Sequence, residues 1–228
     1  MPDFTVPLIL SLKVAGSAAF IATVLGAGAA FALARWRSRW CEVVDSFLTL
    51  PLVLPPTVMG YYLLVLLGRR GVFGQWLSRW GIELVFTWQG AVVAASLVAF
   101  PLVLKSARAA FQDVDEQLEN AARVLGVGEA AIFFRVTLPL ASRGIFAGVL
   151  LAFARALGEF GATLMVAGNI PGRTQTLSIA IYQAVQAGDD GLANILVLIT
   201  SATCIVALLV ASYVWPDHSR RGRARVRL

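Results

Sequence analysis

Two side chains capable of ionic chemistry, Arg155 and Glu159, stand four residues apart in a long apolar run. An ionisable group at membrane depth is costly and usually faces the interior of a helix bundle or water. At this spacing the two side chains lie on one helix face, so they either neutralise each other or take part in transport. Because the arginine has a carboxylate partner beside it, we do not assign it as a ligand for an anion.

Groups that could support catalysis or bind a metal are scarce elsewhere in the sequence. The single histidine, His218, stands near a basic run, and Cys41 and Cys204 are far apart, in a pattern that indicates neither a disulfide nor a metal site. The sequence has no Walker A pattern with which to hold ATP phosphates. A membrane-embedded enzyme needs clustered acid, base or metal ligands, so we disfavour that class and expect no cofactor.

Apolar helices must position these residues. The chain has 228 residues, of which 58% are hydrophobic and 14% charged, whereas soluble domains carry about 25% charged residues. A bilayer core about 30 Å thick is crossed by about 20 apolar helical residues. We therefore predict one all-α membrane domain, residues 1–228, with about five transmembrane helices. The predicted spans are approximately 12–35, 45–68, 86–108, 138–165 and 191–215.

The distribution of basic residues predicts how these spans are oriented. With the N-terminus outside and the C-terminus inside, 13 lysines and arginines fall on the cytoplasmic side and five on the outer side. The positive-inside rule favours this arrangement. The basic run at 219–227 should then lie against anionic lipid headgroups, a role that we favour over nucleic-acid binding.

A polar, charge-bearing segment at about 113–136 lies between apolar runs and should face the cytoplasm. Apolar residues recur there at helical spacing on one face, and Gly126 provides a C-terminal stop. The residues of this face are Val114, Leu118, Ala121 and Leu125. Small residues would let such a helix seat in a groove of a partner. Alternatively, the helix packs on the cytoplasmic ends of its own spans.

The spacing of small and apolar residues in this segment resembles the EAA signature of ABC importer permeases. The matching residues are Ala121, Ala122, Gly126, Leu138 and Pro139. The sequence departs from the family pattern at Asn120, where glutamate is usual, and at Val136, where isoleucine is usual. Glu119 precedes the glutamate position by one residue. The resemblance implies a coupling helix, to which we also assign Glu119, that docks in a cleft of a cytoplasmic ATPase.

Two longer segments are similar to molybdate ABC transporter permeases. They are Leu50–Gly74, with L-P-P and G-R-R-G, and Leu151–Tyr182, with N-I-P-G-x-T-x-T at Asn169–Thr176. The G-E-F-G-A pattern in the second segment is less specific, because sulfate permeases are similar there. The resemblance implies molybdate as the substrate, with sulfate or tungstate as the alternative.

Prolines and glycines in these segments indicate a candidate pathway. Prolines break the hydrogen-bond ladder of the second span, and broken helices are tolerated in membranes where they are buried in protein or line a cavity. The second span is therefore either a wall of the pathway or a merely kinked structural helix. Glycine allows close helix approach and could let a helix flex near a gate. The candidate pathway or gate residues are Pro51, Pro55, Pro56, Arg155, Glu159 and Gly161.

The family resemblance also implies partners and a location. Two copies of the chain would form a channel in the bacterial cytoplasmic (inner) membrane, with two cytoplasmic ATPase subunits and an extracytoplasmic molybdate-binding protein. The chain would not be an enzyme, since the ATPase subunits would hydrolyse ATP and drive alternating access. Arg69, Arg70 and Arg173, on the expected outer side, would attract the dianion or contact the binding protein, or they are simply solvated.

Overall fold

The structure, a computed structural model, describes residues 4–36 and 38–214, and all regular secondary structure in these ranges is helical. Four helices there are long and apolar enough to cross a bilayer, and one bent helix pair could form a fifth span. The predicted all-α membrane architecture is thus confirmed, whereas its orientation stays a prediction. Arg37, His218, the basic run at 219–227 and the last residue of the predicted fifth span lie outside the described residues.

Eleven α-helices and one π-helical turn follow one another in the described part of the chain. They are α1 Thr5–Arg35, α2 Trp40–Val53, α3 Pro56–Leu67, α4 Val72–Ser78, α5 Trp88–Gln112, α6 Glu116–Val124, α7 Glu129–Ile132, the π-helical turn Phe133–Thr137, α8 Leu138–Leu157, α9 Gly161–Ala167, α10 Leu177–Gln186 and α11 Asp190–Val214. The candidate spans are α1, α5, α11 and the helix that runs from α7 through the π-helical turn into α8.

The centre of the fold is formed by α1, α5 and α8, which pack along one another. The α1 face towards α5 repeats a small residue every four positions, with Ala18, Ala22, Gly26 and Ala30 all buried. Small residues allow two helix backbones to approach closely in a membrane. A Cβ atom on Gly26 would lie only 3.0 Å from the Cβ atom of Val103 in α5, so a larger residue there would need Val103 to shift by a few tenths of an ångström.

Two smaller helix pairs flank this centre. The pair α3 and α9 packs against α5, and a Cβ atom on Gly60 of α3 would lie 2.7 Å from the Cβ atom of Met165 in α9. The pair α10 and α11 packs together beyond α8. The buried Ser11 Oγ of α1 accepts a hydrogen bond from the backbone N–H of Leu177 at 2.7 Å, and it thereby satisfies a free donor at the start of α10.

The predicted second span is two helices that bend by 107° at the break between Val53 and Pro56. Pro51 lies inside α2, before the break. Leu54 and Pro55 have extended ψ angles of 141° and 135°, which is the conformation that a following proline favours. The span therefore breaks sharply at Pro55 and Pro56, whereas Pro51 is accommodated within α2.

The predicted fourth span is shorter as a helix than the apolar run suggests. α8 ends at Leu157, and α9 begins at Gly161 after a three-residue break. The buried Glu159 Oε1 accepts the backbone N–H of Ala162 at 2.9 Å, so the side chain starts the new helix. Hydropathy cannot reveal this break, because the residues around it are nearly all apolar.

Candidate coupling site and pathway break

The polar segment contains one well-formed helix, α6, whose start is set by Asp115. The Asp115 Oδ1 accepts the backbone N–H of Gln117 at 2.9 Å, as an N-cap side chain does. Two acidic residues in the first turn, Glu116 and Glu119, suit the positive end of the helix dipole. The N-terminal end of α6 is thus stabilised by the Asp115 cap and by the acidic residues of the first turn.

The end of α6 is a two-bond turn around Gly126. The backbone N–H of Gly126 donates to the Arg123 carbonyl at 2.9 Å, and that of Val127 donates to the Ala122 carbonyl at 3.1 Å. This pair of bonds is the Schellman motif, which places a residue with positive φ after the helix. Gly126 has a φ of 77°, so it occupies the position that favours glycine.

One face of α6 is apolar and exposed, and we call its residues Leu118, Ala121, Val124 and Leu125 the α6 surface. Leu118 is 49% exposed, Val124 87% and Leu125 82%. Three of the four predicted face residues lie on it, whereas Val114 precedes the helix and packs on the core near the ends of α1 and α5. Exposed apolar patches of this kind mark interaction sites.

Glu119 turns the other way, into the protein, and it centres a set of side chains that we call the Glu119 cluster: Arg35, Glu119, Arg123, Glu129 and Thr137. Arg35 Nη2 donates to Glu119 Oε1 at 2.7 Å, and Thr137 Oγ1 donates to the same oxygen at 2.5 Å. Arg123 Nη2 lies 3.4 Å from Glu119 Oε2. The carboxylate is 8% exposed as a residue, and it joins α6 to α1 and to the π-helical turn.

Arg123 balances the charges of this cluster. Its Nε donates to Glu129 Oε1 at 2.6 Å, and this bond raises the pKa of Arg123 above its usual value. Its Nη1 donates to the Asn120 Oδ1 at 2.7 Å. Two arginines already face two carboxylates here, so a third carboxylate at position 120 would leave an excess negative charge. The neutral Asn120 accepts the same hydrogen bond without that excess.

The predicted residues Leu138 and Pro139 lie where the coupling segment joins α8. The backbone N–H of Leu138 donates to the Phe133 carbonyl, five residues back, which defines the π-helical turn. Pro139 has no N–H to continue an α-helical ladder, and single π-helical turns absorb such interruptions within a helix. Leu138 is half-buried and Pro139 exposed.

The pathway candidates on two different spans meet at their breaks. A Cβ atom on Gly161 would lie 3.2 Å from Pro56 Cβ and 3.4 Å from Thr57 Cγ2. The first turn of α9 therefore touches the first turn of α3, immediately after the two breaks. Pro55 flanks this contact, whereas Pro51 lies within α2. Non-helical backbone at membrane depth is tolerated where it is buried in protein or lines a cavity.

Arg155 and Glu159 form the ion pair that their spacing predicts. Arg155 Nη1 lies 2.7 Å from Glu159 Oε2, and the glutamate side chain is 1% exposed against 32% for the arginine. The second carboxylate oxygen caps α9 through Ala162. The glutamate therefore has a structural role at the break, and its charge is shared between the arginine and the N-terminus of α9.

The sequence reading missed one buried ionic group. Asp45 of α2 pairs with Lys105 and with Arg108 of α5, where Arg108 Nη1 lies 2.7 Å from Asp45 Oδ1. Arg108 also donates from Nη2 to the Cys41 sulfur at 3.4 Å. An acidic residue at the edge of an apolar run was the available signal. No group of three metal-ligating side chains occurs among the described residues.

Solved membrane chains share this fold. A chain of the MetNI methionine ABC transporter in an inward facing conformation matches with a TM-score of 0.72 and 16% identity, over 94% of this chain and 97% of that one. A chain of a bacterial alginate ABC transporter complex matches with a TM-score of 0.76 and 16% identity, over 95% and 79%. At 16% identity these two similarities show a shared fold, and the class of protein has to come from the sequence comparisons.

The family of this chain is shown by its sequence. A family model described as the inner membrane component of binding-protein-dependent transport systems matches residues 22–219. The chain belongs to this family and is a multi-pass protein of the cytoplasmic membrane.

The names of individual relatives state a substrate, which the description of the family does not. The chain is 45% identical over 220 residues to the molybdenum transport system permease protein ModB of Escherichia coli K12, covering 95% of both chains. It is 42% identical over 194 residues to the putative molybdenum transport system permease protein YvgM of Bacillus subtilis 168, covering 84% and 85%. The sulfate transport system permease protein CysT of E. coli K12 is 33% identical over 220 residues, covering 95% and 78%.

Proposed function

We propose that this chain is the permease subunit of an ATP-driven importer that carries molybdate across the cytoplasmic membrane. The observation that carries the proposal is the similarity to molybdenum permeases along nearly the whole chain, at 45% identity, against 33% for the sulfate permease. The similarity to the sulfate permease makes sulfate the second candidate substrate. Tungstate, which has the same shape and charge as molybdate, is the third.

The α6 surface is the proposed docking site for a cytoplasmic ATPase. It presents Leu118, Val124 and Leu125 to solvent at the end of α5, and an amphipathic helix docks its apolar face in a groove of its partner. The cap at Asp115 and the turn at Gly126 fix both ends of this helix. A helix with fixed ends can transmit a displacement rather than absorb it.

The proposed assembly has two copies of this chain, two ATPase subunits and an extracytoplasmic molybdate-binding protein. The N-terminus lies outside and the C-terminus inside. ATP binding closes the ATPase subunits, the two α6 helices move together, and the pathway opens outward to receive molybdate. Hydrolysis returns it to the inward state. The chain does no chemistry of its own, and the contact of Gly161 with Pro56 is the proposed point of flexing.

Reconstitution in vesicles tests the substrate. The chain, its ATPase and its binding protein should take up molybdate in an ATP-dependent manner, and uptake should fall when the binding protein is left out. Uptake of sulfate in preference to molybdate would refute the substrate assignment and favour the second candidate.

A matched pair of variants tests the docking site. Leu125→Glu places a charge on the α6 surface and should weaken co-purification with the ATPase. Ser78→Glu adds the same charge in α4, beyond the other end of α5, and should leave co-purification unchanged. Equal binding by both variants would refute docking through the α6 surface.

A further inference from the structure

Glu119 is the one buried residue of α6, a helix whose residues are all described. The other side chains of α6 are exposed or half-buried, so this carboxylate is its main anchor to the body of the protein. Arg123 also joins α6 to Glu129 of the adjoining α7, so Glu119 is the buried side chain through which α6 reaches the long helices. Outside α6, this carboxylate bonds to Arg35 and Thr137.

Arg35 joins Glu119 to α1, whereas Thr137, which bonds the same oxygen at 2.5 Å, joins it to the π-helical turn. Arg35 is the last residue of α1, where a cation suits the negative end of the helix dipole. Its guanidinium also lies over the Phe31 ring, with 4.5 Å between the guanidinium carbon and the ring centroid. The planar guanidinium is thus oriented by the ring as well as by the carboxylate, although its side chain is 39% exposed.

Phe31 extends this contact into the core. Its ring meets the Phe133 ring of the π-helical turn edge-on, with centroids 4.6 Å apart, and the Phe111 ring of α5 with centroids 5.4 Å apart. The residues that surround Glu119 thus reach α1, α5 and the start of α8. These are the three helices that form the centre of the fold.

We infer that Arg35 and Glu119 form a positioning pair that passes the movement of α6 to α1. The inference rests on the proposed function. In this arrangement Glu119 does not meet the ATPase itself, because it faces inward, and the ATPase acts on the α6 surface. The pair converts a displacement of α6 into a displacement of the end of α1, and the small-residue face of α1 carries it along α5.

Arg35→Gln tests the pair in the full complex, and Arg69→Gln is its matched control. Arg69 also pairs with a glutamate, Glu83, at 2.8 Å, but both side chains are exposed and lie near α4. The complex with Arg35→Gln should assemble and hydrolyse ATP, while the ATP consumed per molybdate transported rises about tenfold, within the roughly 2- to 150-fold range of coupled contacts. Arg69→Gln should leave the ratio at the wild-type value.

A second measurement separates the pair from the substrate assignment. In the permease alone, Arg35→Gln and Glu119→Gln should each speed hydrogen exchange of amides in α6 and in the last turn of α1 together. Glu119→Gln keeps an oxygen for Thr137, which limits the damage to folding. Arg35→Lys, which keeps the charge, should restore part of the coupling.

The outcomes are distinguishable. The proposed role of the pair would be overturned if Arg35→Gln consumed as much ATP per molybdate transported as the wild type does. It would also be overturned if amide hydrogen exchange in α6 were unchanged in both Arg35→Gln and Glu119→Gln. Loss of assembly in Arg35→Gln, Glu119→Gln and Arg35→Lys alike would also overturn it, since the pair would then only hold the fold. If the wild-type complex transports no molybdate, the proposed substrate fails, and the exchange data still decide whether the pair links α6 to α1.

Discussion

Replacing Gly126 with alanine should loosen the turn that ends α6, whereas the same replacement at Gly128 should not. Gly126 has a φ of 77° and Gly128 a φ of −68°. A Cβ atom on either residue would meet nothing within 4 Å. The two variants therefore add the same methyl group to equally open space, and at the turn that ends α6 only Gly126→Ala forces alanine into a positive φ; Gly128 is instead the N-cap of α7.

The expected size of the difference follows from that conformation. A left-handed backbone costs an L-residue roughly 1–2 kcal/mol. Alanine also lowers the conformational entropy of the unfolded chain and thereby stabilises the folded state by about 0.4–1 kcal/mol, but this contribution is common to both variants. The variants should thus differ by about 1–2 kcal/mol, which is roughly a 5- to 30-fold difference in the population of the open turn.

Hydrogen exchange measured by mass spectrometry on the reconstituted permease can detect this difference. The informative amides are those of residues 126 and 127, which bond to the carbonyls of Arg123 and Ala122 and close the turn. Exchange should be faster in Gly126→Ala than in Gly128→Ala, and Gly126→Asn should fall between them because asparagine tolerates positive φ. Equal exchange in the two alanine variants would refute the reasoning.

Gly60→Ala should lower thermal stability in detergent by about 1–3 kcal/mol, because its Cβ would lie 2.7 Å from that of Met165. Gly28→Ala, where nothing lies within 4 Å, should not, and equal melting temperatures would contradict the close contact of α3 with α9. In a cysteine-free background, an impermeant reagent should label Ser78→Cys from outside and Asp113→Cys from the cytoplasm. The reverse pattern would refute the predicted orientation.

Local signals in the sequence were sufficient for much of the architecture. Long apolar runs predicted the candidate spans, since crossing a bilayer requires a helix of that length whatever surrounds it. The prolines predicted an interruption of the second span, because a missing N–H and the clash of the ring kink or break a helix; the break occurs at Pro55 and Pro56, while Pro51 stays within α2. Gly126 predicted the end of α6, since a Schellman turn needs a residue that tolerates positive φ.

Local signals of this kind did not predict the break after Leu157. The residues near it are apolar, so hydropathy continues across the gap, and the new helix begins because Glu159 folds back onto the N–H of Ala162. Spacing did pair Glu159 with Arg155, but the expected shared helix face was wrong, because Glu159 lies in the break after α8 ends at Leu157. The role of Glu159 as a cap of α9 depends on how the backbone turns after Leu157, which the composition of the segment does not specify.

Sequence alone thus determined the properties that depend on neighbours within about a turn of helix: the candidate spans, the proline break and the C-terminal end of α6. Tertiary structure alone decided which distant residues meet. Glu119 finds Arg35 across 84 positions, Gly161 meets Pro56 between two broken helices, and Lys105 meets Asp45. The physical reason is that an ion pair or a close glycine contact depends on the packing of several helices at once, which no local pattern specifies.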